Sequence, residues 1–163
     1  MKPIMKRSLL SIIVILLVFP VIYSYLAYNK IKVKNKFAVD FHQDLVEVLI
    51  NKPEFDMKDV TRFDWDRMVV FNPYTSRKEM EETLGQEWTT FSFLGYLLFQ
   101  KTFLGDHPLD DDSYNKLIFL KGNKVVLDVT FNRWEVDLTQ ITDTIYKNES
   151  KFIIDNSVLR HRK

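Results

Sequence analysis

Hydrophobic positions fall along this chain in three rhythms. From Ser8 to Tyr28 they are almost unbroken: twenty-one residues carry no charge, with Lys2, Lys6 and Arg7 before them and Lys30, Lys32, Lys34 and Lys36 after. At about 1.5 Å per residue a helix of that length reaches roughly 31 Å, the thickness of a bilayer's hydrocarbon core. From Phe37 to Asn51 the rhythm is helical. Phe37, Phe41, Leu45, Val48 and Leu49 recur at spacings near three and four, Asp40, Asp44 and Glu47 lie elsewhere on the wheel, and Pro53 ends the segment. From Arg62 to Phe71, Arg67 excepted, and again from Val125 to Phe131, positions alternate as they do in strands.

The first rhythm fits a spanning anchor better than a cleaved leader. A secretory signal needs a basic start, a short apolar run and small residues at the cut. Met1 to Arg7 and Leu9 to Phe19 supply the first two, but Tyr25 and Ile22 stand where small residues belong. Val21, Ile22 and Leu26 continue the run past Pro20, and Tyr23, Tyr25 and Tyr28 suit a headgroup boundary. The expected organisation is a basic N-terminus and transmembrane anchor over 1–28, a basic juxtamembrane stem over 29–36, a globular domain over 37–157 and a basic tail over 158–163. A short basic N-terminus held inside predicts a single-pass protein of the cell membrane with its domain on the extracytoplasmic side.

Within the domain, Phe63, Trp65, Val69 and Phe71 share one face of a predicted strand, and Asp64 and Asp66 share the other. Asn72-Pro73-Tyr74 reads as a turn. Ser76 with Glu79 three positions later forms a capping box for a helix over Arg77 to Leu84, which Gly85 closes. Trp88 to Phe103, rich in Phe, Leu and Tyr, predicts a short strand near 90–93. A buried helix or irregular segment follows, either core or cover for a groove. Lys116–Leu120 and Lys124–Phe131 predict a hairpin turning at Gly122-Asn123. Val125, Leu127, Val129 and Phe131 fall on one face of it, Asp128 and Thr130 on the other. Weaker alternation predicts strands over 135–141 and 151–154. Together these elements predict an α+β fold: a single N-terminal transmembrane helix followed by a small antiparallel sheet packed on two or three helices.

Composition narrows the chemistry. Seven of the 23 basic residues precede residue 37 and all 22 acidic residues follow it, so residues 37–163 carry a net charge of about −6. Such a domain lacks the basic footprint of nucleic-acid binding. The absence of cysteine excludes disulfides and thiolate metal sites. Four glycines leave no phosphate-cradling loop, and His42, His107 and His161 lie far apart in sequence. The remaining candidates are carboxylates. Asp64 with Asp66, and Asp110 to Asp112, contain Asp-x-Asp elements able to share a divalent metal with a phosphate. A solvated strand face and a polar loop explain the same residues without a metal. No cofactor or resident metal is expected.

The run Phe63-Asp64-Trp65-Asp66, then Phe71-Asn72-Pro73-Tyr74-Thr75, the capped helix and Leu84-Gly85 resembles a group of small membrane-anchored or secreted proteins of Gram-positive bacteria. In that group a similar helix precedes a strand pair like Lys116–Phe119 and Gly122–Val126. The order of helix, Leu-Gly stop and hairpin is also similar to modules of the lactamase-inhibitor-protein type, which bind proteins through a sheet surface. The long Phe-rich segment sets this chain apart from them. The expectation is a non-catalytic domain at the outer face of a bacterial membrane, touching the lipid bilayer and another envelope or secreted protein. Its contact surface would carry Asp64, Asp66, Asp128 and Thr130. The rival readings are a metal-assisted hydrolase using Asp64 and Asp66 or Asp110 to Asp112, and an immunity or inhibitor protein or small stabilising subunit of a membrane assembly.

Overall fold

The computed structural model describes residues 3–102, 109–155 and 158–162, with side chains from Leu16 onward. His107 and the first half of the acidic loop lie outside the described residues. The class is α+β, built on two antiparallel sheets rather than the one expected. Helix α1 (Pro3–Ile31) leads into α2 (Ala38–Asn51), and a short strand β1 (Glu54–Asp56) runs directly into a single turn, α3 (Met57–Val60). Strand β2 (Arg67–Phe71) precedes α4 (Arg77–Leu84). The hairpin β3 (Tyr114–Lys121) and β4 (Lys124–Asn132) follows, then β5 (Ile145–Tyr146), β6 (Lys151–Asp155) and β7 (Val158–His161).

The expected transmembrane helix is not supported. Among the described residues no helix is long and apolar enough to cross a membrane. The part of α1 with described side chains, residues 16–31, reaches only about 24 Å, and its last turn holds Asn29 and Lys30. Its C-terminal end is built into the domain. Tyr28 is buried, Thr89 and Ile31 share a backbone bond of 2.9 Å, and Val33 donates to Thr89 at 2.8 Å. What was expected to be a free basic stem is therefore partly a structural seam.

The larger sheet has the order β4-β3-β2-β5 and is covered on both faces. One face carries Leu117 and Phe119 from β3, Met68 from β2 and Leu127, Val129 and Phe131 from β4, packed on Phe41 and Leu45 of α2. The other carries Ile118, Leu120, Val69 and Phe71, packed on Met80 and Leu84 of α4, Val33 and Trp88. Burial along β3 is accordingly continuous from Asn115 to Leu120, the mark of a strand sandwiched between two layers. The smaller sheet, order β1-β6-β7, folds the chain's end back as a strand where a frayed tail was expected.

Local chemistry sets several of these boundaries. Ser76 and Glu79 form the reciprocal capping box at α4, and Gly85, at φ +69°, closes that helix in the left-handed region. The β3–β4 turn has positive φ only at its first central residue, Gly122 at +55°, the pattern of a type II′ turn. A bulge follows: Leu120 faces Val125 while Phe119 faces Leu127, so Val126 is the extra residue. It sends Val125 to the face opposite Leu127, against the simple alternation.

Candidate functional site

Two features stand out, and one supports the other. The first is a buried polar cluster. Lys116 and Asp128, 7% and 6% exposed, meet at 2.5 Å between Nζ and Oδ1. Asp128 faces Ile118 across the hairpin and Lys116 faces Thr130, so the pair is a diagonal neighbour on one sheet face. The second carboxylate oxygen, Oδ2, accepts the indole N–H of Trp88 at 2.7 Å. Asn35, held at φ +50°, brackets the same residue's backbone: its Nδ2 donates to Asp128 O at 2.7 Å and its Oδ1 accepts from Asp128 N at 2.9 Å.

Trp88 is the hub. Its ring, 1% exposed, lies under the Arg77 guanidinium at 3.9 Å, and Glu81 holds Arg77 at 2.7 Å from the next turn of α4. The Trp88 carbonyl accepts from both Arg77 and Gln100. One residue thus fastens α4, β4 and the start of the Phe-rich segment together.

The second feature is what that fastening presents. Beyond Trp88 the chain makes one bridge to Lys32 through Thr89, then a helical turn over Phe93–Gly95 that continues as a π-helix over Tyr96–Gln100. Ser92 caps the turn through Gly95 N, and Lys101 N reaches Tyr96 O, five residues back. Gly95 and Tyr96 are buried, and the rings of Phe93, Tyr96, Tyr25 and Tyr28 gather at centroid distances of 5.2–5.6 Å. Four large side chains point outward: Leu94 is 64% exposed, and Phe91, Leu98 and Phe99 are exposed beside it, while Leu97 and Gln100 are half-buried. Lys32 donates to the Phe91 carbonyl, and Tyr28 Oη donates there at 3.0 Å. Beside this platform a groove of about 580 Å³ runs between α1 and Tyr96, with Leu26 on its apolar side and Lys30 and Glu87 at its rim. The expected strand over 90–93 is absent, and the segment is half anchor, half exposed surface.

The residues singled out from the sequence are not brought together. Asp128 is buried in the cluster, because both sheet faces are covered and the expected solvated face does not exist. Thr130, opposite Lys116, is half-buried. Asp64 and Asp66 precede β2 instead of lying within it, and both are exposed. Lys121 bridges them at 2.8 and 3.0 Å. The side-chain bond from Lys121, then that from Lys147, holds the Asp64 carboxyl below the usual range. For Asp66 the N–H of Gly122 acts first and Lys121 second, in the same direction. Of the acidic loop, Asp111 accepts from Ser113 N at 2.7 Å as a local turn. Among the described residues no three His, Asp or Glu side chains converge as a metal site. His42 stacks on Phe131 and lies 3.5 Å from Glu135, while His161 meets the Glu149 carbonyl on the smaller sheet.

Comparison with protein-family models, with curated proteins and with solved structures finds no match to this chain. The geometry alone carries the functional reading.

The platform residues were visible in the sequence as an apolar run, but their exposure was not.

Proposed function

We propose that this chain is a non-catalytic domain that acts by contact at the outer face of a bacterial membrane, with the aromatic platform around Leu94 and Leu98 as its contact face. The supporting observation is the contrast between the two features of the site. Charged side chains that the fold gathers are engaged by one another: Asp128 by Lys116 and Trp88, Asp64 and Asp66 by Lys121. Large apolar side chains at 91–99 are left uncovered on a segment that Trp88 fastens firmly to the core. A contiguous exposed apolar patch is the ordinary mark of an interaction surface. An immunity-type or inhibitor protein, or a small stabilising subunit, would work in this way.

The hydrolase reading draws less support, since lysine and backbone N–H groups already occupy the carboxylates of Asp64 and Asp66. A photoreactive amino acid placed at Leu94 or Leu98 in cells tests the contact reading. Adducts, to protein or to lipid, are expected there, and a yield no higher than at Asn123, on the hairpin turn, would count against it.

A further inference from the structure

The platform sits beside the start of a lysine-rich stretch: Lys32 bonds the Phe91 carbonyl and Lys30 shares a groove with Tyr96. Elsewhere lysines are commonly paired: Lys58 with Asp56, Lys78 with Glu82, Lys101 with Glu87, Lys121 with Asp64 and Asp66. Lys30, Lys34 and Lys36 are exposed, and among the described residues none of them makes an ion pair, Lys36 lying over the Phe37 ring at 4.9 Å. Lys32, between them, bonds the Phe91 carbonyl at 2.5 Å and so fixes this basic stretch to the platform's edge. All four lie on a stretch of seven residues, 30–36, that follows the tyrosines of α1.

We propose that the platform seats on an anionic lipid surface. Phe91, Leu94, Leu98 and Phe99 enter the boundary between headgroups and acyl chains, and Lys30, Lys34 and Lys36 lie against the headgroups. This rests on the contact reading and names its partner. The match is one of charge as well as polarity. An apolar patch alone would accept many bodies, but apolar and aromatic side chains edged by unpaired lysines are what a negatively charged leaflet recognises. Tyr25, exposed and with an apolar body and a polar tip, suits the same boundary. The seat requires no spanning helix, because a segment lying in the interface buries one side only.

The full chain contains no cysteine, so a single one can carry a nitroxide at Leu94, Leu98 or, as control, Asn123. Collision rates with oxygen and with a water-soluble nickel chelate are compared with and without vesicles of mixed phosphatidylglycerol and phosphatidylcholine. At 94 and 98 the nickel rate is expected to fall several-fold while the oxygen rate rises, and 123 is expected not to change. Replacing Lys30, Lys34 and Lys36 together by Gln should remove most of the effect, as should molar salt, which shortens the screening length to about 3 Å. Labels at 94 and 98 that stay as wet as 123, on a chain bound to vesicles or not, would overturn the lipid seat. So would a fall in both collision rates, the signature of burial in protein. In either case discrete adducts from the photoreactive residue at 98 in cells would leave the contact reading standing, and their absence would remove both.

Discussion

The side-chain amide of Asn35 closes a ring with the backbone of Asp128, donating to its carbonyl at 2.7 Å and accepting from its N–H at 2.9 Å. β4 is an edge strand, and a residue's N–H and C=O point to the same side of a strand. Asn35 therefore stands in for a missing strand at the position where the buried carboxylate sits. Asparagine suits the place doubly, since its φ of +50° would strain most other residues. Asn35→Gly should keep the backbone conformation and lose the two bonds, at a cost of about 1–3 kcal/mol. Asn35→Ala should lose the bonds and also strain the left-handed backbone, at about 1–2 kcal/mol more. Urea denaturation measures the order, and equal losses would show that the left-handed conformation adds nothing.

The Lys116–Asp128 pair should be costly to break and cheap to replace. Removing one member strands a buried charge, and such losses run to about 3–5 kcal/mol. Lys116→Met alone is expected in that range. The double change Lys116→Met with Asp128→Leu should recover most of it, less about 1–3 kcal/mol for the Trp88 N–H left without an acceptor. A double-mutant cycle reads the coupling directly. A double variant no more stable than the single one would mean that the pair is needed for the fold itself.

The hairpin tip makes a separate claim about acid. Asp64 and Asp66 are held below the ordinary carboxylate range in the folded chain, Asp64 first by Lys121 and Asp66 first by the Gly122 N–H. A carboxyl depressed on folding contributes stability that is fully present above its unfolded value, about 3.9. That contribution disappears as pH falls through the lower folded value. Lys121→Met removes one of the groups depressing each carboxyl. Its melting temperature should therefore decline less steeply than that of the parent chain between pH 5 and pH 2, and a parallel decline would refute the assignment.

How far these features could be read from residues alone depends on whether their cause is local. The capping box of Ser76 and Glu79, the closing Gly85 and the turn at Gly122 were legible because each is set by contacts within a few residues. The α2 helix was legible because Phe41, Leu45 and Leu49 recur at its period. Asp128 was misplaced for a physical reason. In an alternating strand a carboxylate predicts a solvated face, and only Lys116 from the neighbouring strand, with Trp88 and Asn35 arriving from distant parts of the chain, makes burial tolerable. The bulge at Val126 defeats the alternation by one residue, and nothing in its composition announces it. Trp65 reads as a strand residue by period, yet it is buried just before β2 with its indole N–H on Thr61 Oγ1 at 2.9 Å. In the smaller sheet the strand over 151–154 was legible, but its partner Glu54–Asp56, 95 to 99 positions away, is too short for any periodicity. Ser8 to Tyr28 reads as a separate element, but Tyr28 and its neighbours are shared with the domain.

Trp88 links the buried cluster to the exposed platform, so loosening it should be felt at 93–100 before it is felt in the sheet. Arg77 covers the indole at 3.9 Å and bonds the Trp88 carbonyl, and a cation over an aromatic face contributes about 0.5–2 kcal/mol. Arg77→Met keeps the length of the side chain and removes both contacts. Amide exchange across Phe93–Gln100 should then accelerate, while the hairpin strands Tyr114–Lys121 and Lys124–Asn132 stay protected. The Asp128 carboxylate keeps Lys116 in this variant, so the sheet has no reason to open. Uniform acceleration over both regions would mean that Arg77 merely supports global stability. Unchanged exchange at 93–100 would mean that the platform is held by Tyr28, Phe93 and Tyr96 without help from the cluster.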